Sequence, residues 1–262
     1  MSTLPPSTSA PASKFPEPVQ ALIEARLHDP FGLLGRHVQG AGIVVRVYLP
    51  QAERVRVADG PVLTRVEGTD LFVWEGEADQ VPPRYRLEWV DRGGVTHREF
   101  DPYCFPVQLP DFDLHLFGEG RHWHAYRFMG AHVRAVEGVA GVQFAVWAPN
   151  AVRVSVVGDF NAWDGRANPM RSRGGSGVWE LFLPGLGAGV FYKYELRDRD
   201  GNIHVKIDPY ANAFQLRPDT AGLVCDPAPY AWGDAAWMGA RAQADWRRRP
   251  MSVYELHLGS WQ

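Results

Sequence analysis

The sequence has little of several features that would assign a chain to a class at once. Only two cysteines occur in 262 residues, Cys104 and Cys225, and they lie far apart without a C-x-x-C spacing. This argues against a disulfide framework and is typical of proteins of the reducing cytoplasm. The formal net charge is −3, so no global field attracts nucleic acid or an anionic membrane. We predict neither as a partner.

Long apolar runs are missing as well. Nowhere do 18 consecutive apolar residues occur, which argues against a membrane-spanning helix. The opening "MSTLPPSTSAPASKFPEP" has neither the charged start nor the apolar centre of a signal peptide. Its Ser, Thr, Pro and Ala content predicts a disordered tail over residues 1–17.

Short segments of period-2 alternation are what the chain does have. One series starts near residue 42 with "IVVRVYL", "RVRV", "LFVWEGE" and "YRLEWV". A second starts near residue 141 with "VQFAVWA", "VRVSVV", "VWELFL" and "FYKYELR". Because turns rather than helices separate these segments, they predict an all-β fold of two tandem antiparallel β-sandwiches. A short amphipathic helix that begins near Val19 and is closed by Asp29-Pro30 precedes them.

The two halves of the chain form an internal repeat. Residues 85–103, "YRLEWVDRGGVTHREFDPY", align without a gap on residues 192–210, "YKYELRDRDGNIHVKIDPY", with about half of the positions identical. Asp101 and Asp208 recur in the two "DPY" sequences, so we interpret them as strand-end turn residues and not as paired catalytic acids. The predicted organisation is a first sandwich with its helix (18–112), a connector (113–135), a second sandwich (136–227) and a linker (228–262).

One turn distinguishes the second half from the first. "GDFNAWDG" at 158–165 carries Phe160 and Trp163, whereas the equivalent "RVRVADGP" has no aromatic residue. A ring that the shared core required would be expected in both copies, so Trp163 is a candidate stacking surface for a sugar ring. Covering 50–100 Å² at about 25 cal/mol per Å² would contribute roughly 1–3 kcal/mol. Millimolar affinity needs about 4 kcal/mol, and we predict that Asn161 and Lys193 supply hydrogen bonds.

Other candidate sites have less support. His115, His122, His124 and His132 lie close in sequence, but without a thiolate or a helical H-x-x-x-H pair they predict no metal site. The glycines at 174–177 are not followed by a helix start that could bind phosphate. We therefore predict no catalytic residue in this chain, no metal and no cofactor.

The motifs of both halves together resemble a known family. They are "HDPFGLLGRH", "FDPYCF", "GVQFAVWAPNAVRVSVVGDFNAWDGRANPMR", "RPDTAGLV" and "SVYELHLGSW", which span nearly everything after the tail. In this order they resemble the front part of bacterial glycogen branching enzymes, members of the α-amylase superfamily. The second half resembles the starch- and glycogen-binding sandwich of those enzymes. The resemblance implies that α-glucan is a partner, with Trp163 and Lys193 as its contacts.

The same resemblance also implies what this chain lacks. The family's reaction is a retaining transfer of an α-1,4-glucan chain to a 6-hydroxyl, which uses an Asp nucleophile and a Glu acid/base on a (β/α)8 barrel. Here "MSVYELHLGSW" resembles only the first strand of that barrel. We expect the chain to be the front part of a longer enzyme, with the missing barrel as a partner and no activity of its own. A second tryptophan that related glycogen-binding domains carry is replaced here by Ile203 and His204.

Three functions remain open at this point. The chain is a glucan-binding front of a branching enzyme, a stand-alone glycan-targeting module, or a scaffold for the barrel in which Trp163 is merely packed. Substitution of Trp163 separates the binding functions from the scaffold.

Overall fold

The computed structural model describes residues 14–226 and 231–260. Most of the predicted tail therefore lies outside the described residues. The chain divides into two compact units, Met1–Asp226 and Pro227–Gln262. Both predicted sandwiches lie in the first unit.

The first sandwich is built from seven antiparallel strands in the order β1-β2-β5-β4-β3-β6-β7. Its elements are α1 (Glu17–Ile23), β1 (Gly35–Gln39), β2 (Gly42–Tyr48), β3 (Ala52–Val57), β4 (Val62–Arg65), β5 (Leu71–Gly76), β6 (Arg86–Asp91) and β7 (Thr96–Phe100). The first two residues of β4 pair with β3 and the last two pair with β5, so this strand passes from one layer to the other. Val45, Phe72 and Leu87 pack between the layers in a continuous core.

The second sandwich has two separate sheets. It comprises α2 (Asp111–Gly118), β8 (Gly130–Val136), β9 (Val139–Trp147), β10 (Arg153–Gly158), β11 (Arg171–Ser172), β12 (Val178–Pro184), β13 (Phe191–Arg197), β14 (Ile203–Lys206), β15 (Ala213–Phe214) and β16 (Gly222–Leu223). One sheet has the order β11-β12-β9-β8, and the other has the order β10-β13-β16-β15 with β14 beside β13. All eight predicted strands are present, and the predicted all-β antiparallel fold is confirmed.

The segment predicted as a connector differs from that prediction. Residues 113–135 contain most of α2 and most of β8, and β8 pairs with β9 along its whole length. Between the two strands, Glu137 and Gly138 both have positive φ (49° and 83°), as a two-residue type I′ hairpin turn requires. The sequence did not predict β8 as a strand, because Gly130 and Ala131 interrupt its apolar pattern.

The first helix ends earlier than its apolar spacing predicts. Ala25 adopts a left-handed conformation with φ of 53°, and the Arg26 amide donates to the Ala21 carbonyl. This pattern of a left-handed residue and a long backward hydrogen bond is a Schellman-type helix end. The helix therefore stops at Ile23, before Asp29-Pro30.

A repeated hydrogen-bond network confirms the interpretation of the "DPY" aspartates. The Tyr85 hydroxyl donates to Asp101, which also accepts from the Tyr103 amide at 2.9 Å. At the equivalent place, the Tyr192 hydroxyl donates to Asp208 at 2.6 Å, and the Tyr210 amide donates at 2.8 Å. Both carboxylates are buried, and burial raises the pKa of each, that of Asp101 to about 6. They are structural groups at strand ends.

The repeat also extends beyond the aligned sequences. Gly35 and Gly130 start the first strand of each sandwich with φ of 89° and 95°. A Cβ at Gly35 would lie 3.0 Å from the Tyr103 carbonyl oxygen, and one at Gly130 would lie 2.9 Å from that of Tyr210. Only glycine fits at both positions, because each combines a left-handed backbone with a close approach. The two sandwiches therefore use one structural design.

The two sandwiches contact each other directly. The contacts include the Tyr103 hydroxyl donating to the Pro169 carbonyl at 3.1 Å, an Arg84–Glu137 ion pair at 2.6 Å, the Leu109 amide donating to Glu180 at 2.9 Å and the Phe105–Phe182 rings at 4.8 Å. Glu180 is 2% exposed, and Arg171 and Arg173 lie beside it. Buried polar groups of this kind fix the relative orientation of the elements that supply them.

The unit Pro227–Gln262 holds α3 (Ala235–Gln243) and no strand among its described residues. The predicted barrel strand in "MSVYELHLGSW" is therefore not formed over residues 251–260. A parallel barrel strand needs hydrogen bonds from strands on both sides, and no described strand pairs with this segment. Trp232, Trp237 and Trp246 are exposed within this unit. No helix among the described residues is long and apolar enough to cross a membrane.

Candidate functional site

The "GDFNAWDG" turn follows β10 and places its two aromatic rings in opposite environments. Phe160 folds back onto the second core, where its ring centroid lies 6.5 Å from that of Phe144. Gly158 makes room for it, because a Cβ at that position would collide with the Phe160 ring. Phe160 is thus a packing residue.

Trp163 instead points outward. Its side chain is 38% exposed, and its indole Nε1 donates to Asp159 Oδ1 at 2.8 Å. Ala162 and Trp163 both have positive φ, at 52° and 60°. A left-handed backbone costs about 1–3 kcal/mol for a non-glycine residue, and such strain is concentrated at functional sites. The turn therefore holds an exposed indole in a fixed orientation at a conformational cost.

Asn161 does not serve the role that the sequence predicted. It is 4% exposed; its Oδ1 accepts from the Gly158 amide at 3.0 Å, and its Nδ2 donates to Val156 at 2.9 Å and to Asn168 at 2.8 Å. With its polar atoms engaged and buried, it has none to offer a sugar hydroxyl. The Asn161 side chain is engaged because the backbone amide of Gly158 and the backbone carbonyl of Val156, at the end of β10, need hydrogen-bond partners.

Lys193 lies on the outer face of the neighbouring strand, as predicted. It alternates with Tyr192 and Tyr194, which are both fully buried in the core. In the register of β10 and β13, Lys193 pairs with Val157, next to the residue whose carbonyl accepts the Trp163 amide. The ammonium donates to Thr220 Oγ1 at 2.9 Å.

Thr220 and Asp159 are the polar residues of this surface that sequence reasoning missed. Both are exposed, Thr220 accepts a hydrogen bond from Lys193, and Asp159 accepts one from Trp163. Thr220 lies in "RPDTAGLV", a motif that carried the family resemblance but gave no role to its threonine. Asp159 is within the turn itself, and its spacing of four from Trp163 was the available signal.

A buried ion pair supports the turn from beneath. Arg153, 2% exposed, pairs with Glu195 and also donates to the Gly165 carbonyl. A Cβ at Gly165 would collide with the Glu195 carboxylate. The segment after Trp163 is therefore held closely against the outer face of β10 and β13.

The remaining sequence candidates do not assemble into a site. His115 lies 3.5 Å from Glu119, His122 lies 2.9 Å from Asp113, and His132 bonds the Met129 carbonyl. Among the described residues, no three His, Cys, Asp or Glu side chains form a group that could hold a metal ion. Ile203 lies in the hairpin where the family resemblance implies a second tryptophan, and it is 48% exposed but offers no aromatic ring.

Comparison with known proteins assigns both sandwiches. Residues 16–103 match the N-terminal domain of the alpha-1,4-glucan branching enzyme GlgB. Residues 128–211 match carbohydrate-binding module 48, the isoamylase N-terminal domain. The chain carries N-terminal domains of the GlgB family.

GlgB enzymes from bacteria are similar to this chain over nearly its whole length. The 1,4-alpha-glucan branching enzyme GlgB of Methylococcus capsulatus is 54% identical over 245 residues, which are 93% of this chain and 33% of that enzyme. The GlgB of Nitrosococcus oceani is 53% identical over 254 residues, 96% of this chain and 34% of that enzyme. The chain thus spans about a third of the length of these relatives.

Solved structures give only a distant likeness. A pullulanase from Bacillus acidopullulyticus is 17% identical, covering 67% of this chain and 20% of that one with a TM-score of 0.33. So low a score supports no statement about this chain.

Proposed function

We propose that the second sandwich binds α-glucan through Trp163, with Lys193 and Thr220 as hydrogen-bonding neighbours. The observation that carries the proposal is the contrast within one turn: Phe160 is packed, whereas Trp163 is exposed, strained and fixed by Asp159. An indole face suits the apolar face of a pyranose ring. The carbohydrate-binding module family of this segment supports the same ligand class.

The energetics call for more than one contact. Stacking contributes roughly 1–3 kcal/mol, and a neutral hydrogen bond contributes about 0.5–1.5 kcal/mol. Stacking on Trp163 together with hydrogen bonds to both Lys193 and Thr220 contributes about 2–6 kcal/mol, a range that includes the roughly 4 kcal/mol of a millimolar site. Affinity of this order is sufficient on a glycogen particle, because many neighbouring chains raise the effective concentration.

We further propose that this chain serves a branching enzyme whose catalytic barrel lies outside these residues. The names of its relatives support this assignment. The described residues form sandwiches and a short helical unit without a (β/α)8 barrel. The branching reaction would therefore belong to the barrel, with the sandwiches holding glucan near it.

A scaffold without glucan affinity is the alternative that a specific observation favours. The contacts between the sandwiches, including buried Glu180, are extensive enough to give a rigid support. In that case the exposed indole would serve no ligand.

Calorimetric titration with maltoheptaose separates the two proposals. Trp163→Ala should weaken binding about tenfold or more, and Lys193→Met should weaken it about two- to tenfold. Trp123→Ala is the matched control, because Trp123 is 90% exposed and lies outside the turn, in the segment between α2 and β8. Equal affinity of all variants would overturn the glucan site at this turn, and no binding by the unaltered chain would leave the scaffold as the function.

A further inference from the structure

A cavity of about 600 Å³ lies between the two sandwiches, which is within the size range of small-molecule sites. The first sandwich contributes the face of β6 and β7 that carries Trp89, His97 and Glu99, together with Gln51. The second sandwich contributes Asp159 to Asn161 and residues 183–186. The cavity is therefore built by both domains.

Its lining combines aromatic surface with hydrogen-bonding groups. The rings of Trp89 and His97 stack at 3.9 Å with an interplanar angle of 13°. Gln51 Nε2 is buried and has no hydrogen-bond partner within residues 14–226 or 231–260. A buried donor without a partner costs about 1–3 kcal/mol, which a ligand acceptor would recover.

The shared fold does not require an indole or a carboxylate at two of the positions that line the cavity. In the repeat, Trp89 corresponds to Leu196, and Glu99 corresponds to Lys206. Trp89 and Leu196 each pack against the core of their own sandwich, so the shared fold needs an apolar side chain at this position but not an indole. His97 recurs as His204, so the indole is the member of the aromatic pair that is particular to the first sandwich.

The cavity also adjoins the Trp163 surface. Asp159 lines the cavity and accepts the hydrogen bond from the Trp163 indole at 2.8 Å. The Trp163 surface and the cavity therefore share Asp159 as a common residue.

The charges select the class of ligand. Asp91, Glu99 and Asp159 line the cavity, against Arg98 as its one arginine. Carboxylates repel phosphate and other anions but accept hydrogen bonds from hydroxyl groups. A neutral polyhydroxylated ligand with apolar ring faces fits both the carboxylates and the aromatic pair.

We propose that this cavity is a second α-glucan subsite, which takes the continuation of a chain bound at Trp163. The proposal rests on the proposed function of the turn and extends it to the first sandwich. Gln51 donates to a sugar oxygen, Glu99 accepts from a hydroxyl, and the Trp89–His97 pair supplies apolar contact. The first sandwich thereby takes part in binding longer chains.

Nuclear magnetic resonance of the 15N-labelled full chain tests this with two reporters in one spectrum. Variants Gln51→Leu and Trp163→Phe assign the Gln51 side-chain amide and the Trp163 indole signals. With saturating maltoheptaose we expect both signals to shift and the Trp123 indole signal to stay in place. A shift of the Trp163 signal without one at Gln51 would overturn the subsite alone. No shift at Trp163 would instead contradict the proposed function of the turn.

Affinity gives a second, independent test. The double variant Gln51→Leu, Glu99→Ala should weaken maltoheptaose binding about five- to tenfold. Glu88→Ala is the matched control, because Glu88 lies on β6 outside the cavity lining. Unchanged affinity of the double variant would overturn the proposal.

Discussion

At the scale of single residues, one turn shows how position decides the role of an aromatic ring. Phe160 and Trp163 are three residues apart, yet the first covers the core and the second faces outward. The difference arises from the left-handed backbone of Ala162 and Trp163, which turns the chain after the short helical segment Asp159–Asn161. Asn161 stabilises the same turn, since its side chain bonds the backbone groups that the turn would otherwise leave unpaired.

Stability measurements should distinguish the two rings. Phe160→Ala removes a ring packed on the core and should lower the free energy of unfolding by about 2–4 kcal/mol. Trp163→Ala removes an exposed ring and should lower it by less than about 1 kcal/mol. Urea unfolding monitored by circular dichroism measures both values. Equal losses for the two variants would mean that Trp163 is a packing residue.

Asn161 should behave as a structural residue in the same assay. Asn161→Ala leaves buried groups at Gly158 and Val156 without their partner, which should cost about 2–3 kcal/mol. If Asn161 contacted glucan instead, the substitution would weaken glucan binding and leave the free energy of unfolding unchanged. Unaltered stability of this variant would contradict its assignment as a cap of the turn.

At the scale of elements, the strand-end network of Tyr85 and Asp101 links structure to pH. Burial raises the pKa of Asp101 to about 6, whereas an exposed aspartate titrates near pH 4. Between these values the folded chain holds a proton that the unfolded chain releases. The contribution of Asp101 to stability is therefore present below about pH 4 and decreases as the pH rises to about 6.

The expected size of this effect is about 3 kcal/mol, since one pKa unit corresponds to about 1.4 kcal/mol. Comparison of the unaltered chain with Asp101→Asn at pH 4 and pH 7 isolates it. The stability advantage of the unaltered chain over the variant should shrink by about this amount at the higher pH. An advantage that is the same at both pH values would show that Asp101 is not protonated in the fold.

Sequence patterns predicted the strands with a strong apolar pattern and missed those whose pattern is exposed or interrupted by small residues. Strands β2, β9 and β12 have strong apolar patterns and were found, whereas β14 is exposed along its length and gave a weak signal. At the site, comparison of the two repeats identified Trp163 as the residue that the core does not need. Thr220 could not be predicted as the partner of Lys193, because the pair is 27 residues apart and meets only through folding.

At the scale of the whole molecule, the two sandwiches share one repeated design and are joined by direct contacts into one compact unit. The same tyrosine–aspartate network closes each sandwich, and contacts such as Tyr103 with Pro169 join them. The cavity at their junction exists only because both domains hold their positions. Sequence reasoning found the two domains but not this junction, since no local pattern encodes contacts between them.

Unfolding should therefore be a single cooperative transition for both sandwiches. Tyr85→Phe in the first sandwich and Tyr192→Phe in the second should each lower the melting temperature of that one transition, with a loss of about 1–2 kcal/mol. Differential scanning calorimetry measures this directly. Two separated transitions, each sensitive to only one substitution, would show that the sandwiches are independent.

The measurement that tests the central claim most directly is affinity electrophoresis in gels with and without glycogen, with Trp163→Ala run beside the unaltered chain. The exposed indole in the "GDFNAWDG" turn predicts that glycogen retards the unaltered chain and that the substitution removes the retardation. An unaltered chain that migrates without retardation, or a variant that is retarded equally, would contradict a glucan site at this turn.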